Sequence, residues 1–209
     1  MARKADPTKK STILAAAAQV FAERGYTATR IIDVAGAAQV GKGTIYEYFP
    51  SKEALFFAVF EEMMMSAERT IVKAAQTLTG RFAACMLTLS DQIISTWLAQ
   101  LHMYGLVMEF WSATASSPAR DRFKAVFSEG YKGLRGMVGD LIRGAQVRGE
   151  VSADCAVEEV AAALIGTWDA LLLQAWLDPD FDALSASRAF MRVVLRGLAP
   201  QQNEGGKDR

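Results

Sequence analysis

A short segment near the N-terminus of this sequence places several hydrogen-bond donors and two aromatic rings on one accessible helix. Between Gly41 and Pro50 the outward positions carry polar and aromatic side chains: Lys42, Thr44, Tyr46, Glu47 and Tyr48. Side chains of these types can bind base edges or phosphates when a short helix enters the major groove of DNA. Lys52 follows in the first turn of the next helix, where the helix dipole also favours a phosphate.

The flanking residues predict two short helices joined by a tight turn. Apolar residues recur at helical spacing from Ile31 to about Ala38, which indicates the first helix. We expect the turn at Gln39-Val40-Gly41 and the second helix from Lys42 to about Phe49. Pro50 cannot extend that helix, and Ile45 and Phe49 lie four residues apart, where they can anchor it. This arrangement is typical of a helix-turn-helix whose second helix enters the DNA major groove.

The charge distribution is compatible with one DNA-facing domain. The net charge of the chain is zero, but residues 1–52 hold eight lysines and arginines against four acidic residues. The remaining 157 residues carry 15 basic and 19 acidic groups. A basic first quarter on an acidic body fits a domain that faces a polyanion, and chance asymmetry is the equally simple alternative.

The whole chain is predicted to be all-α, with about nine helices. The first is expected from about Lys9 to Arg24, ended by Gly25, and the fourth from Ser51 to about Ala75. Five more are expected at about 82–97, 100–115, 119–148, 154–177 (capped by Asp154) and 183–198. We expect a loose basic arm at residues 1–8 and a disordered tail after Pro200. The predicted domains are a DNA-binding domain at 1–50 and a ligand-binding and dimerisation domain at 51–209.

The segment FAERGYTATRIIDVAGAAQVGKGTIYEYFPSKEALF, with the helix before it, resembles the N-terminal domain of TetR family transcriptional regulators. The resemblance covers about residues 9–69 and rests on FAERGY and on V-x-K-G-T-I-Y-x-Y-F-x-S-K-E-A-L-F. The later helices and the WDALLLQAWLDPDF segment are similar to that family's C-terminal domain. The resemblance, together with the side-chain chemistry, implies these DNA-binding residues: Arg30, Lys42, Gly43, Thr44, Tyr46, Tyr48 and Lys52. Gly43 would let the backbone approach DNA closely.

Three positions depart from the family's common pattern. Gln39 stands where the turn usually has glycine, and it is strained if the turn needs a positive φ. Gly41 stands where serine often caps the second helix, and glycine is a weaker cap. Thr29-Arg30 replaces a frequent Thr-Thr pair, and Arg30 either contacts a phosphate or points into solvent. These departures put a borrowed operator sequence in doubt.

The C-terminal helices suggest a dimer. The helix from about 154 to 177 is apolar on nearly all faces, so we expect burial on all faces. We predict a four-helix interface between two subunits, as the family resemblance also implies, with a thick monomeric core as the alternative. The expected interface residues are Leu164, Trp168, Leu171, Leu172, Trp176, Phe190 and Val194.

The middle helices are rich in large, adaptable side chains that can line a cavity or fill a core. The candidates for a small apolar or aromatic effector are Met86, Trp97, His102, Tyr104, Met108, Trp111, Phe127, Tyr131 and Trp168. Glu109 and Asp169 are further polar groups that could orient such a ligand. His102 is the single histidine, which argues against a histidine-based metal site, and no cofactor is expected.

The sequence therefore predicts a DNA-binding regulator, most readily a repressor, that leaves a palindromic operator when an effector binds. No nucleophile–base pair or phosphate-cradling loop indicates an enzyme. The alternative is a helical small-molecule-binding module without an operator. A signal peptide and a membrane span are not expected. Cys85 and Cys155 are expected to be reduced thiols, so a cytoplasmic location follows.

Overall fold

The computed structural model describes residues 6–113 and 119–200, apart from the side chains at 110, 113 and 119. All regular structure in these ranges is helical. The helices are α1 (Pro7–Ala28), α2 (Ile31–Ala37), α3 (Lys42–Tyr48), α4 (Lys52–Gln76), α5 (Phe82–Leu98), α6 (His102–Ala113), α7 (Ala119–Val147), α8 (Val157–Leu177) and α9 (Ala183–Leu198). The all-α prediction is confirmed. Residues 1–5 of the predicted arm and the tail after Pro200 lie outside the described residues.

Most helix ends lie within a few residues of the predicted positions, with two differences. Helix α1 begins at Pro7 because the Asp6 side chain accepts a hydrogen bond from the Thr8 backbone N–H at 2.9 Å. The prediction that Asp154 caps α8 is wrong. The N-cap residue is Ala156, and Asp154 instead accepts a hydrogen bond from the Ser152 hydroxyl.

Packing groups the chain into two compact units, each formed from two separate stretches of sequence. One compact unit comprises residues up to Glu68 together with Gln100–Ser128. The second comprises Arg69–Ala99 and the chain from Glu129 onward. Helices α4 and α7 each contribute residues to both units.

The first unit has an aromatic core that extends beyond the helix-turn-helix. The Phe60 ring stacks on Phe123 at 4.6 Å between centroids and lies 5.3 Å from Phe127. Trp111 lies 5.3 Å from Phe123. These contacts join α4, α6 and the first part of α7, and α6 also packs on α1. The core of the helix-turn-helix therefore continues into α4, α6 and α7, three helices that lie within the predicted ligand-binding domain.

The second unit is built on α5, α8 and α9, which pack on one another. A buried polar chain crosses these helices. The Trp168 indole N–H donates to the Ser90 hydroxyl at 3.0 Å, and the Ser90 and Ser187 hydroxyls lie 2.7 Å apart. Because an unpaired polar group in the core would be unfavourable, this chain restricts how the three helices can align.

Helix α8 is long and apolar enough to cross a membrane by length and composition alone, although 39% of its most apolar window is buried inside the structure. Core helices of globular domains pass the same test. One face of α8 packs on α5 and α9, and the opposite face is exposed, so the expectation of burial on every face is not met within one chain.

Candidate nucleic-acid interface

The reading helix α3 is held to the first unit by its apolar side. Ile45 is fully buried, and Phe49, at the C-cap, is also in the core. Ile31, Val34 and Ala35 of α2 are buried in the same cluster. Because these anchors occupy one side of two short helices, the opposite side of α3 faces outward.

The outward side of α3 carries the predicted DNA-binding residues. Lys42 and Gly43 are exposed, Thr44 is half-buried and Tyr46 is 44% exposed. The Lys42 ammonium lies 5.9 Å from the centre of the Tyr46 ring. A Cβ built at Gly43 meets no atom within 4 Å, so the fold itself leaves room for a side chain there. The structure thus presents a donor, a hydroxyl, a ring and a bare backbone on one surface.

Tyr48 differs from Tyr46 in its surroundings. It is half-buried, and its hydroxyl accepts a hydrogen bond from the Asp6 backbone N–H at 3.0 Å. Asp6 caps α1, so Tyr48 ties the end of α3 to the start of α1. Residues two positions apart on a helix diverge by about 200°, and the two tyrosines accordingly differ in exposure. A DNA contact by Tyr48 would use a side chain that already bonds within the chain.

The turn between α2 and α3 has the backbone geometry that the departure at Gln39 made questionable. Gln39 has a φ of 54°, in the left-handed region, and the Val40 N–H donates to the Ala35 carbonyl at 3.0 Å. A residue with a Cβ is strained in this region, whereas glycine is not. Gly41 is the N-cap of α3, with no side-chain cap hydrogen bond.

A Gln39→Gly variant should therefore be more stable than wild type, by up to about 1 kcal/mol, because relief of left-handed strain outweighs the added flexibility of the unfolded chain. Urea unfolding followed by circular dichroism measures the free energy of unfolding. Gln39→Ala is the matched control, since alanine keeps the strain. A glycine variant less stable than the alanine variant would refute this explanation.

Arg30 lies at the N-cap of α2 and pairs with the first turn of that helix. Its backbone N–H donates to Asp33 Oδ2 at 3.0 Å, and its Nε lies 3.4 Å from the same oxygen. Arg24 Nη1 lies 3.2 Å from Asp33 Oδ1. Hydrogen bonds from Arg30, more than the nearby charges, lower the pKa of Asp33. The Arg30 side chain is largely exposed, so its guanidinium is accessible to a phosphate as well as to solvent.

Lys52 has a position that differs from the expected phosphate contact. Its ammonium donates to the backbone carbonyls of Tyr26, Thr27 and Thr29 at 2.9, 3.2 and 3.0 Å. It also lies 4.6 Å from the centre of the Tyr26 ring. A lysine ammonium has three N–H donors, and these three carbonyls account for all of them. Lys52 thus holds the end of α1 against the start of α4.

We expect Lys52→Gln to destabilise the protein by about 1–2 kcal/mol, because three carbonyls lose a charged donor. We also expect the slope of DNA affinity against salt concentration to stay at its wild-type value. Thermal unfolding and fluorescence anisotropy at several salt concentrations measure the two effects. A slope that falls by about one, with unchanged stability, would instead indicate a lost phosphate contact.

Glu109 is the functional candidate that sequence reasoning misplaced. It was expected to orient a ligand, but its carboxylate accepts hydrogen bonds from the backbone N–H groups of Tyr26 and Thr27, each at 2.8 Å. Partial burial raises the pKa of Glu109. The hydrogen bonds from Thr27 and Tyr26 and the Lys52 charge together lower the pKa by more than burial raises it, so the net shift is downward. An acidic residue in the apolar sequence HMYGLVMEFW was the available signal. Its partner lies 83 positions away, where the sequence gives no indication.

The predicted effector residues divide between the two units. His102, Tyr104, Met108, Trp111 and Phe127 belong to the first, and Met86, Trp97, Tyr131 and Trp168 to the second. Met86 and Trp168 are fully buried, whereas His102 and Met108 are exposed. The Tyr131 hydroxyl donates to Asp169 Oδ2 at 2.7 Å, and burial raises the pKa of Asp169. Among the described residues no cluster of three or more histidine, cysteine or acidic side chains could hold a metal ion.

The predicted dimer residues differ in their burial within one chain. Leu164, Trp168, Leu171 and Leu172 lie in the core of the second unit, and Trp168 is only 1% exposed. Their side chains are therefore largely covered by other residues of the same chain. Trp176 and Phe190 are exposed and Val194 is half-buried. Because α8 is apolar on nearly all faces, periodicity could not separate its core face from its outer face.

Both C-terminal helices expose an apolar stripe of mostly small residues. The exposed positions on one face of α8 are Ala162, Ala163, Gly166, Ala170, Leu173 and Leu177. Those on α9 are Ala189, Phe190, Val193 and Gly197. Leu177 of α8 and Val193 of α9 are 66% and 68% exposed, so each stripe includes a large aliphatic side chain that this chain leaves uncovered.

Comparison with known proteins finds a matching family model in the N-terminal part of the chain and another in the C-terminal part. The family described as bacterial regulatory proteins, tetR family, matches residues 13–59, and BetI-type transcriptional repressor, C-terminal, matches residues 102–200. The chain is 29% identical to the HTH-type transcriptional repressor DhaR of Mycobacterium sp. (strain GP1) over 192 residues, 87% of this chain and 88% of that protein.

Solved structures give the same fold. A TetR transcription regulator from Haloarcula marismortui ATCC 43049 superposes with a TM-score of 0.79 at 18% identity, covering 92% of this chain and 99% of that one. The regulator FadR from Bacillus subtilis, solved in complex with stearoyl-CoA, gives a TM-score of 0.68 at 20% identity, covering 90% and 98%. These structures show the fold, and the two family models, which match residues 13–59 and 102–200, show that the chain belongs to the TetR family and is a DNA-binding regulator of transcription.

Proposed function

We propose that the chain is a homodimeric repressor that binds a roughly palindromic operator and is released by a small apolar or aromatic effector. The observation that carries this proposal is the outward surface of α3. There Lys42, Thr44 and Tyr46 stand beside the bare backbone of Gly43, with Ile45 anchored behind them. The match to transcriptional repressors supports repression over activation. We infer action by binding rather than by catalysis, in the cytoplasm.

A dimer would place two copies of α3 in successive major grooves. In helix-turn-helix dimers the half-sites lie about 34–36 Å apart, one helical turn of DNA. The exposed stripes of α8 and α9 are the surfaces that we assign to dimer contact. Their small residues would allow two helix pairs to approach closely and form a four-helix interface.

Effector binding would lower the affinity for DNA through a change in the separation of the two reading helices. Coupling between two sites is typically about 1–3 kcal/mol, equivalent to roughly 5- to 150-fold in affinity. The candidate effector residues stay as predicted, except that Met86 and Trp168 are core residues in this structure and need movement to reach a ligand. The stearoyl-CoA bound to the Bacillus subtilis regulator supports a small-molecule effector for a protein of this fold.

A gel shift with DNA from upstream of the chain's own coding sequence tests the proposal. We expect a sequence-specific shift by wild type and a weaker one by Lys42→Ala. The Lys42→Ala variant should also show a salt slope smaller by about one, because each phosphate contact releases roughly one counterion. No sequence-specific shift at low salt would contradict the proposal and favour a helical binding module without an operator.

A further inference from the structure

Gly25 interrupts the last part of α1 with a non-helical backbone conformation, and the five residues Gly25–Thr29 form a corner that leads into α2 and is bound by opposite charges. The Glu109 carboxylate accepts hydrogen bonds from the Tyr26 and Thr27 N–H groups. The Lys52 ammonium donates hydrogen bonds to the carbonyls of Tyr26, Thr27 and Thr29. The peptide dipoles of the corner therefore run between an anion on α6 and a cation on α4. Charge-assisted hydrogen bonds of this kind are about twice as strong as neutral ones.

The backbone of the corner is shaped for the carboxylate. Gly25 has a φ of 76°, and a Cβ built there would lie 2.8 Å from Glu109 Oε2. The Thr29 hydroxyl closes the corner by donating to the Gly25 carbonyl at 2.7 Å. A side chain at residue 25 would both strain the backbone and displace the carboxylate. The corner and Glu109 thus form one close-packed unit.

The corner controls where the reading helix points. Residue 30, the N-cap of α2, follows it directly, and α2 is joined to α3 by four residues, 38–41. Any change at the corner would reorient α2 and α3 relative to α1. Since Glu109 belongs to α6, the angle of the reading helix depends on where α6 lies on α1.

We propose that Glu109 is a positioning residue for DNA binding, through which α6 sets the orientation of α3. The inference deepens the proposed function and rests on it, because it needs an operator that wild type binds. It also gives the effector a route to DNA, since Tyr104, Met108 and Trp111 of the predicted effector set lie on the same helix. An effector that shifts α6 withdraws the carboxylate from the corner.

The direction of the change in operator affinity distinguishes a positioning role of Glu109 from a simple effect of its charge. Removing a negative charge from a DNA-binding protein ordinarily strengthens its attraction to a polyanion. Loss of positioning would instead weaken DNA binding. We therefore expect Glu109→Gln to bind the operator about tenfold more weakly, since a charged partner of two amides is replaced by a neutral one.

The matched control is Glu61→Gln. Glu61 lies in the same unit and pairs with Arg122 at 3.1 Å, but it does not contact the corner. This variant loses the same charge and should keep wild-type operator affinity or bind slightly more tightly. Fluorescence anisotropy on the operator gives the affinities. Hydrogen exchange of the peptide that contains residues 26–29 should become faster in Glu109→Gln and stay unchanged in Glu61→Gln.

Glu109→Asp provides the second variant. It keeps the charge on a shorter side chain, so its affinity should lie between those of wild type and Glu109→Gln. If Glu109→Gln loses its helical circular dichroism signal and is therefore unfolded, the operator affinity of Glu109→Asp tests the inference by itself. If the folded Glu109 variants bind the operator as tightly as wild type or more tightly, the inference about Glu109 is overturned, and the proposed function is not. If wild type binds no operator, the proposed function fails instead.

Discussion

A Gly166→Arg variant should fold as a monomer and lose operator binding. Gly166 lies in the middle of the exposed stripe of α8, and a Cβ built there meets no atom within 4 Å. In an isolated subunit the arginine meets open space and replaces a weak helix former by a strong one, which favours the helix by up to about 1 kcal/mol. In the proposed dimer the same guanidinium would be buried against apolar residues, a penalty on the order of several kcal/mol.

Light scattering coupled to size exclusion measures the subunit number, and circular dichroism checks the fold. Operator affinity should fall by about 100-fold or more, because two linked reading helices gain that much over a single one. Gly136→Arg on α7 is the matched control, since Gly136 is also an exposed helical glycine with no atom within 4 Å. A Gly166→Arg protein that remains a dimer would show that the α8 stripe is not the interface.

A Gly43→Ala variant should be more stable than wild type and yet bind DNA more weakly. A Cβ at residue 43 meets no atom of the chain within 4 Å, so alanine is free of clashes and favours helix α3 by about 1 kcal/mol. The bare backbone is therefore not required by the fold. We attribute it to close approach of DNA, where forcing in one methyl group costs about 1–3 kcal/mol.

Thermal unfolding and operator affinity should consequently move in opposite directions, with affinity about tenfold lower. Gly136→Ala makes the same chemical change outside the reading helix and should raise stability without altering affinity. A Gly43→Ala protein with wild-type affinity would mean that the DNA backbone does not approach α3 at this residue. Equal losses of stability and affinity would indicate damage to the helix instead.

The helix-turn-helix could be predicted because its signals are local. The apolar spacing from Ile31 to Ala38, the break before Lys42 and the stop at Pro50 each follow from backbone geometry within a few residues. The sequence also marked Gln39 as the residue that is strained if the turn needs a positive φ, and its φ is 54°. Short-range patterns of this type specify an element wherever tertiary contacts agree with them.

The partners of charged side chains could not be predicted. Lys52 follows Ser51 at the start of a helix beside the reading helix, which suggests a phosphate ligand, yet its ammonium is taken by three carbonyls. Glu109 is captured by amides far away in the chain. Both interactions depend on where α4 and α6 pack on α1, and sequence periodicity gives the packed face of a helix but not the atom that each polar group meets.

The outer face of α8 could not be predicted from the sequence for a different reason. Its core face holds large residues such as Trp168, and its outer face holds small ones such as Ala162 and Gly166, but both faces are apolar. A hydrophobicity pattern cannot rank two apolar faces, so the largest residues were assigned to the interface. Their volume is what places them in the core, because large side chains fill the space between three packed helices.

Selection of duplexes from a random DNA library by the wild-type protein, followed by sequencing, tests most directly whether α3 of two subunits reads DNA. We expect enrichment of an inverted repeat whose half-site centres lie about one helical turn of DNA apart, or slightly more. Repeating the selection with Lys42→Ala should relax the preferred bases within each half-site if Lys42 contacts a base edge. Enrichment of a single asymmetric site, or of no sequence, would contradict a dimeric operator-binding regulator.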